Sequence, residues 1–330
     1  MKALVFETPD NPQILDMPVP EISDTEVLIK TRTIGICHSD YELLAGRYII
    51  PISYPVTPGH EWCGEIVEVG KSVKNFKRGD RVVGECVVRT PERLHHFGFS
   101  MNGADREYFN VNPDWLHKLP DGVDDNRGAL IEPFTCGFYA VQRSGGTNAS
   151  ETVIVSGGGT IGLVTAAAAI GMGARVIVVD PIAKRREIAL KLGAAEVVDA
   201  NDNPVERIQE LTGGKGAELV VEASGHDASV ANVLEYAMEN GRISMVGLNI
   251  GRKVTSTLGL MQLKNLTIRG CIGSPGVWPA AIRFLERTGI DLSPIQTHHF
   301  GLTDAVQAFE LGKDPQACIK VTLSTKGLNS

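Results

Sequence analysis

Hydrophobic residues follow two different patterns along the chain, and the change lies near residue 150. Up to about residue 130, short apolar or alternating segments such as EVLIKTRTIGI (26–36) and CGEIVEVG (63–70) are separated by closely spaced glycines. Short strands divided by turn glycines are typical of a barrel-like β domain. We therefore expect the first part of the chain to consist mainly of short β-strands.

After residue 150, apolar runs alternate with helix-like segments. This alternation, with strands that are almost continuously apolar, is typical of a parallel sheet covered on both faces. It predicts an α/β fold with a Rossmann-type doubly wound sheet. The segments are ETVIVSGGGTIGLVTAAAAIGMGARVIVVD (151–180, strand, turn, helix and strand), AKRREIALKLGA (183–194, helix), AELVVEASG (217–225, strand), HDASVANVLEYAMEN (226–240, helix), GRISMVGL (241–248, strand) and NLTIRGCIGS (265–274, strand).

The last stretch, THHFGLTDAVQAFELGKDPQACIKVTLS (297–324), predicts one helix and a final strand. Because the parallel-sheet unit is already complete by about residue 285, we expect this stretch to return to the first domain. The predicted domains are therefore 1–145 together with 286–330, and 146–285 as the Rossmann-type domain.

A glycine motif follows the first strand of the predicted parallel sheet. Gly157, Gly159 and Gly162 stand in G-x-G-x-x-G order before a predicted helix, and Thr160 and Ile161 within the motif are also expected to bind the cofactor. Such glycines allow a tight turn, a close approach of a pyrophosphate and close packing of the helix on the sheet. An α/β core can also contain an empty glycine turn, but a strand before the motif and a helix after it favour a dinucleotide site.

An acidic residue, Asp180, ends the next strand at about the spacing expected for a ribose contact. A 2′-phosphate would meet a like charge there, so the sequence favours NAD over NADP. Lys184, Arg185 and Arg186 follow closely and would weaken that preference. We assign Arg185 to the predicted cofactor site, and a solvated helix face is the alternative for the other two.

Three residues in the first domain offer a sulfur, a nitrogen and an oxygen ligand: Cys37, His60 and Glu61. This mixture suits zinc, and three protein ligands with one open position are typical of a catalytic zinc site. Adjacent residues of a regular strand face opposite ways, so His60 and Glu61 need the bend that Pro58 and Gly59 supply. Glu132, an acid in the apolar run LIEPF, is the alternative oxygen ligand. The sequence leaves the choice between the two glutamates open.

Composition argues against several classes of function. The 330 residues are 43% hydrophobic with a net charge of −7, which argues against a nucleic-acid partner. The six cysteines are scattered without a C-x-x-C pair, so a disulfide framework is not expected. We find neither an N-terminal apolar secretion segment nor an apolar run long enough for a membrane helix. A cytoplasmic protein without a membrane partner is therefore expected.

Seven segments, in order and spacing, give the chain a specific resemblance to a family. It resembles the zinc-dependent medium-chain dehydrogenase/reductase superfamily, the alcohol and polyol dehydrogenases. The resemblance implies a GroES-like β-barrel catalytic domain, interrupted in sequence by the Rossmann domain, with the active site in the cleft between them. The segments are GICHSDYELLAG (35–46), YPVTPGHEWCGEIVEVG (54–70), FKRGDRVVG (76–84), GADREYF (103–109), LIEPFTCGFYAV (130–141), VIVSGGGTIGL (153–163) and GRISMVGL (241–248).

The resemblance also implies metal positions and a substrate class. Cys37, His60 and Glu61 match metal ligands, and Glu132 stands where polyol dehydrogenases have a glutamate. The chain looks most like the sorbitol dehydrogenases and the 2-deoxy-scyllo-inosamine dehydrogenases. The four-cysteine lobe that binds a structural zinc in many relatives is missing, so we expect one catalytic zinc ion only. The pair His95 and His96, in this shortened region, is expected in a surface turn.

The implied reaction moves a hydride from a zinc-bound alcohol to the nicotinamide of NAD and gives a ketone. Ser39 would take the hydroxyl proton, although a helix-capping serine is the alternative. Glu42 stands at a proton-relay position, with a place at the rim of the cleft as the alternative. Glu61 is also counted as catalytic, and Asp40 would orient the site from behind the ligands.

The remaining matched positions concern the cofactor and the substrate. His38 matches a pyrophosphate contact, and six residues match segments beside the nicotinamide: Val246, Gly247, Leu248, Cys271, Ile272 and Gly273. Core packing is the alternative for these six. A polar substrate pocket is expected from Glu42, Trp62, Arg106, Glu132 and Trp278.

The expected substrate is a polyol, a cyclitol or a simple alcohol, and the expected assembly is a homodimer or a homotetramer paired through the strand at 266–272. Two other functions remain open. One is a zinc-free quinone or enoyl reductase of the same superfamily, and the other is a non-catalytic NAD-binding protein.

Overall fold

The computed structural model describes residues 1–47, 52–89, 94–247 and 251–327. The strands are β1 (Lys2–Thr8), β2 (Asn11–Asp16), β3 (Val27–Gly35), β4 (Glu61–Val69), β5 (Arg81–Gly84), β6 (Val87–Arg89), β7 (Leu94–His96), β8 (Tyr108–Val111), β9 (Leu116–Lys118), β10 (Thr152–Ser156), β11 (Arg175–Val179), β12 (Glu196–Val198), β13 (Ala217–Glu222), β14 (Ala237–Met245), β15 (Thr267–Gly270), β16 (Gln296–Gly301) and β17 (Lys320–Ser324). The α-helices are α1 (His38–Leu44), α2 (Asp125–Gly128), α3 (Ile131–Arg143), α4 (Thr160–Gly171), α5 (Ala183–Lys191), α6 (Pro204–Leu211), α7 (Asp227–Tyr236), α8 (Gly259–Leu263), α9 (Trp278–Thr288) and α10 (Ala305–Gly312).

Internal contacts divide the chain into two units. Unit 1 contains Met1–Glu132, Trp278–Glu286 and Gln296–Ser330, and unit 2 contains Pro133–Val277 and Arg287–Ile295. The predicted boundary at residue 145 placed all of α3 in the first domain, whereas this division assigns most of α3 to unit 2. Among the described helices, none combines the length and the apolar composition needed to cross a bilayer.

Unit 1 is built on a seven-stranded sheet in the order β16-β17-β3-β4-β5-β9, with β8 paired to β3. Strands β3 and β4 run antiparallel and place Gly35 opposite Glu61. The C-terminal strand β17 pairs with the other edge of β3, so the end of the chain completes a sheet begun near its start. Apolar side chains from the two ends of the chain, such as Phe6 and Phe309, are both fully buried in one core.

Unit 2 is built on a six-stranded parallel sheet in the order β12-β11-β10-β13-β14-β15. This order reverses direction beside β10, as in doubly wound dinucleotide-binding folds. The central strands and most of α4 are buried, because helices cover the sheet. The α/β fold class predicted from the sequence is confirmed.

Three local predictions were wrong. The helix expected over 226–240 ends at Tyr236, and β14 begins at Ala237 because Ala217 of β13 pairs with it in the parallel sheet. Strand β16 was not predicted, since QTHHFG shows no clear alternation and is fixed by its pairing with β17. The pair His95 and His96 lies in β7, which pairs with β6, rather than in a turn.

Candidate metal and dinucleotide sites

Three side chains of unit 1 form a group that we call the ligand cluster: Cys37, His60 and Glu61. One ligand atom of each lies within 4.8 Å of the others. Cys37 is the N-cap of α1, just after β3, and Glu61 is the first residue of β4. His60 precedes the strand, and Gly59 before it has φ of +95°, so two adjacent residues both reach the cluster. This set of sulfur, nitrogen and oxygen donors fits a zinc ion.

Glu61 is held by a lysine from the C-terminal strand. Lys320 Nζ lies 2.9 Å from Glu61 Oε1 and 2.6 Å from Oε2, and it also donates to Ile36 O at 2.8 Å. Both side chains are at most 2% exposed. Burial opposes the charged form of Lys320, but Glu61, together with Cys37 and Asp40, outweighs burial and raises the pKa of the lysine. The sequence analysis missed Lys320, although a lysine inside the apolar run CIKVTL was a signal.

The space for the Glu61 carboxylate is left by a glycine on the neighbouring strand. A Cβ atom added at Gly35 would lie 2.3 Å from Glu61 Oε2. Any larger residue at this position would push the carboxylate out of its place. Gly35 therefore helps to position the oxygen donor of the ligand cluster.

Asp40 supports two members of the cluster. Its Oδ2 accepts a hydrogen bond from Cys37 N at 2.9 Å, and its Oδ1 lies 3.3 Å from His60 Nδ1 without hydrogen-bond geometry. Burial opposes the charged form of His60, but Asp40, together with Cys86 and Cys37, outweighs burial and raises the pKa of this histidine well above its usual value. The side of the imidazole facing Asp40 is Nδ1, which leaves Nε2 for an ion. A carboxylate behind a histidine ligand is the usual support of a metal site.

A second buried acid, Asp105, was not singled out in the sequence. Its Oδ1 atom has no hydrogen-bond partner among the described residues, and a Cβ atom added at Gly59 would lie 2.0 Å from it. Burial, with Asp40 nearby, raises the pKa of Asp105 well above its usual value. Gly59 is therefore required both for its backbone angle and for the room it leaves beside Asp105.

The alternative oxygen ligand, Glu132, lies outside the ligand cluster. It is in the first turn of α3 and is 9% exposed. Burial is the main cause that raises the pKa of the Cys86 thiol, and the negative charge of Glu132 adds to this rise. Glu132 as a ligand remains a prediction.

The predicted proton-transfer residues all lie on α1. Ser39 is half-buried in the first turn, and the N-cap is Cys37, so the capping role considered for Ser39 was wrong. Glu42 Oε1 pairs with Arg47 at 3.2 Å on a partly exposed part of the helix. His38 is exposed at the start of the helix.

Two of the predicted pocket residues have other roles. Trp62 is 2% exposed and packs in the core of unit 1 against Phe97 and Phe109. Arg106 lines a cavity to which no member of the ligand cluster contributes. The predicted lining of the substrate pocket was therefore wrong at these two positions.

The glycine turn lies in unit 2 between β10 and α4. Gly157 has φ of +112°, which an L side chain rarely adopts, and Gly159 is the N-cap of α4. A Cβ atom added at Gly162 would lie 1.8 Å from Gly157 O, so only glycine fits there. Thr160 and Ile161 form the first turn of α4, whose free N–H groups favour a phosphate.

Asp180 follows β11 and closes the turn from the other side. Its Oδ2 accepts from Gly158 N at 2.7 Å and its Oδ1 accepts from Ile182 N at 2.8 Å. Arg185 Nη1 lies 3.7 Å from Asp180 Oδ2. The acid therefore shapes the glycine turn, and its contact with a ribose remains a prediction.

The predicted nicotinamide residues follow strands β14 and β15 of the same sheet. Val246 N and Gly247 N both donate to Glu222 O. Cys271 is 8% exposed with its Sγ 3.3 Å from Ser244 Oγ, whereas Ile272 is 63% exposed. Gly273 has φ of +62°, and Leu248 lies outside the described residues. Ligands of doubly wound sheets bind at these carboxyl ends of the strands.

Comparisons with known proteins agree with this architecture. Residues 23–121 match the model of the alcohol dehydrogenase GroES-like domain, and residues 160–287 match the model of the zinc-binding dehydrogenase family. Sorbitol dehydrogenase of Ovis aries is 32% identical over 331 residues, which cover 94% of this chain and 93% of that protein.

Two solved structures resemble the whole chain. 2R,3R-butanediol dehydrogenase from Bacillus subtilis has a TM-score of 0.91 at 28% identity, and the match covers 98% of this chain and 99% of that one. A zinc-binding dehydrogenase from Sinorhizobium meliloti 1021, bound to NADP, has a TM-score of 0.90 at 28% identity and 98% coverage of both chains. With its two-unit architecture and its sulfur, nitrogen and oxygen cluster, the chain belongs to the zinc-type alcohol and polyol dehydrogenases, a family of oxidoreductases.

Proposed function

We propose that this protein is a zinc- and NAD-dependent dehydrogenase that oxidises a secondary alcohol of a polyol or an (amino)cyclitol to the ketone. The observation that supports this most is the ligand cluster, a buried set of one thiol, one imidazole and one carboxylate in the GroES-like unit. A zinc-free reductase would have no use for this set. The similarity to sorbitol dehydrogenase favours a substrate with several hydroxyl groups.

Cys37, His60 and Glu61 would hold the zinc ion, with Glu132 as the alternative oxygen ligand. A bound zinc ion would supply Lewis acidity that lowers the pKa of the substrate hydroxyl. Asp40 orients the cluster through Cys37 N and through its approach to His60. Lys320 holds the Glu61 carboxylate in place.

The proton of the substrate hydroxyl would pass to Ser39 on α1 and from there towards solvent. Glu42, four residues beyond His38 on the same helix and partly exposed, would serve as a relay or lie at the rim. His38 is exposed at the helix start, as a pyrophosphate contact requires. Ser39 and Glu42 are thus proposed to carry protons, and His38 is proposed to contact the cofactor.

The cofactor would bind at the glycine turn of unit 2, with its pyrophosphate at the N-terminus of α4. Asp180 gives this turn a negative charge where the adenosine ribose is expected, which favours NAD. Arg185, close to Asp180, partly offsets this charge, so some activity with NADP is expected. NAD should nevertheless give the higher kcat/KM.

A homodimer or a homotetramer is proposed through the edge of the parallel sheet. Strand β15 is the last strand of that sheet, and its residues are mostly exposed. Leu263 and Ile272 on either side of it are 77% and 63% exposed. An exposed strand edge with apolar neighbours favours pairing with a second copy.

The test is a panel of polyols, aminocyclitols and simple alcohols with NAD and with NADP, followed by the absorbance of the reduced cofactor, together with the zinc content of the purified protein. Cys37→Ser should lose both the metal and turnover, and Cys318→Ala, a buried cysteine outside the cluster, should keep both. Full turnover and zinc in Cys37→Ser would refute the proposed mechanism.

A further inference from the structure

A cavity of about 540 Å³ lies in unit 1, apart from the ligand cluster. We call it the Arg106 pocket. Its lining is mainly polar, and none of the three cluster residues contributes to it. The lining residues used below are Ser23, Glu26, Asn102, Arg106, Asn110 and Asn112.

Arg106 is the positive charge of this pocket. It is 8% exposed, and its Nε donates to Gly103 O at 3.0 Å. Its guanidinium lies over the ring of Phe109, with 5.9 Å between Cζ and the ring centroid. Within the described part of the chain, neither Nη1 nor Nη2 has an acceptor, and no carboxylate forms an ion pair with this arginine. Burial lowers the pKa of Arg106 to about 10.

A buried arginine without an anionic partner is unusual, because a buried guanidinium normally pairs with an acid. Two partly buried arginines illustrate this. Arg81 pairs with Asp125 at 2.9 Å, and Arg242 pairs with Glu151 at 2.6 Å. Arg106 therefore has two N–H-bearing nitrogens beside an open cavity and no protein anion to bind. A ligand oxyanion would satisfy both through a bidentate contact.

Two asparagines add further donors. Asn102 Oδ1 accepts from Thr57 N and Asn112 Oδ1 accepts from Asp114 N, both at 2.9 Å. Because a backbone N–H must meet an oxygen, these bonds fix the orientation of both amides. Each Nδ2 group is therefore a donor, and neither has an acceptor among the residues that the structure describes. The donors of the pocket outnumber its free acceptors, which favours an oxygen-rich, negatively charged ligand.

Glu26 limits the charge of that ligand. Its Oε2 accepts from Ser23 N at 3.0 Å and its Oε1 accepts from Asn110 Nδ2 at 2.9 Å. Glu26 and Arg106 are the charged residues of the lining, so their formal charges cancel. A dianion such as a phosphate ester would be repelled by Glu26, whereas a hydroxyl group of the ligand can donate to it.

We propose that the Arg106 pocket is a second binding site, for a small polyhydroxylated monocarboxylate of the sugar-acid type. The carboxylate binds Arg106 and the amides of Asn102 and Asn112, and the hydroxyl groups reach the end of the pocket at Glu26. Thr57, whose N–H is bonded to Asn102, lies three residues before His60, so the pocket borders the segment that carries a cluster residue.

The test is isothermal titration calorimetry of the zinc-loaded full chain with gluconate, with sorbitol as a neutral probe of the same carbon chain and sorbitol 6-phosphate as a dianion. Gluconate should bind at one site per chain, and more tightly than either of the others. Arg106→Gln and Asn112→Asp should each weaken gluconate binding about tenfold or more. Asn112→Asp keeps the oxygen that accepts a hydrogen bond from Asp114 N, so this variant is expected to fold normally.

Two further variants test the role of the Glu26 charge and provide a control arginine outside the pocket. Glu26→Gln should strengthen gluconate binding and allow the phosphate ester to bind, because it removes the repelling charge. Arg78→Gln removes an exposed arginine of the same unit and should change nothing. The proposal is overturned if gluconate shows no saturable binding, if Arg106→Gln and Asn112→Asp both bind it as the parent does, or if sorbitol binds equally well at this site.

Discussion

Lys320 Nζ lies 2.6 Å from Glu61 Oε2 and 2.9 Å from Oε1, and this ion pair is buried beside Cys37 and His60. A carboxylate that binds a metal ion has to share its charge with any cation already near it. Lys320 therefore sets how strongly Glu61 is available as a ligand while keeping it in position.

Lys320→Met should destabilise the metal-free protein by about 3–5 kcal/mol, because it leaves Glu61 buried without its partner. Urea unfolding after chelation measures this loss. The double variant with Glu61→Gln should lose less than Lys320→Met alone, since no unpaired charge remains. Lys313→Met, which removes an exposed ion pair with Glu310, should cost under about 1 kcal/mol. An equal loss in both single lysine variants would contradict the role given to Lys320.

Gly35→Ala should lower zinc affinity, because the added methyl group would overlap the Glu61 carboxylate. Displacing one ligand support typically costs about 10–100-fold in metal affinity. Competition with a chromophoric chelator measures the zinc dissociation constant. Gly122→Ala is the control. Gly122 is an exposed residue of the same unit, and nothing lies within 4 Å of a Cβ atom added there. Wild-type affinity in Gly35→Ala would show that Glu61 does not need this space.

Gly162→Ala should abolish NADH binding, because its Cβ would lie 1.8 Å from Gly157 O and would distort the glycine turn. The loss should be about 100-fold or more, as measured by the fluorescence of bound NADH, because close helix packing aligns the N–H groups of α4. Gly259→Ala, with nothing within 4 Å of its added Cβ, should bind NADH normally. Zinc content should be unchanged in both variants, since the ligand cluster belongs to unit 1.

Asp80 should contribute to stability in a pH-dependent way. Burial opposes its charge, but Lys118 at 2.9 Å and the N–H of Lys77 outweigh burial and lower the pKa of Asp80. A lowered pKa in the folded state favours folding above the unfolded-state pKa, and this contribution disappears as the pH falls through the folded-state pKa. Asp80→Asn should therefore cost about 0.5–1 kcal/mol at pH 7 and almost nothing near pH 2.

Urea unfolding at several pH values measures the effect of Asp80→Asn. Asp121→Asn makes the same change in formal charge at an exposed residue of the same unit and provides the comparison. If Asp80→Asn lowers the free energy of unfolding by the same amount down to pH 2, the carboxylate charge contributes nothing to stability.

Features that depend on local backbone geometry could be predicted from the sequence. The glycine motif, Asp180 and the alternating strands and helices predicted the parallel sheet, because a tight turn and a buried strand each leave a local pattern. The ligand cluster was also predicted, since soft and hard donors and the bend at Gly59 are visible in the sequence.

Features that depend on contacts between distant residues could not be predicted. Lys320 and Glu61 are 259 positions apart, and nothing local to either residue shows that they meet. Arg106 was assigned to the substrate pocket, because the sequence does not show which cavity a side chain lines. Strand β16 was missed for the same reason, since its partner β17 rather than its own pattern determines it.

The closure of the unit 1 sheet by β17 has a consequence for how the protein is made. A ribosome synthesises Cys37, His60 and Glu61 early, whereas Lys320, the cation that neutralises Glu61, follows 259 residues after it. Until then the nascent first domain contains a carboxylate with no counter-charge, at the place where its sheet still has an open edge. Early capture of a zinc ion would be one way to neutralise that charge, so metal supply during synthesis should raise the yield of folded protein.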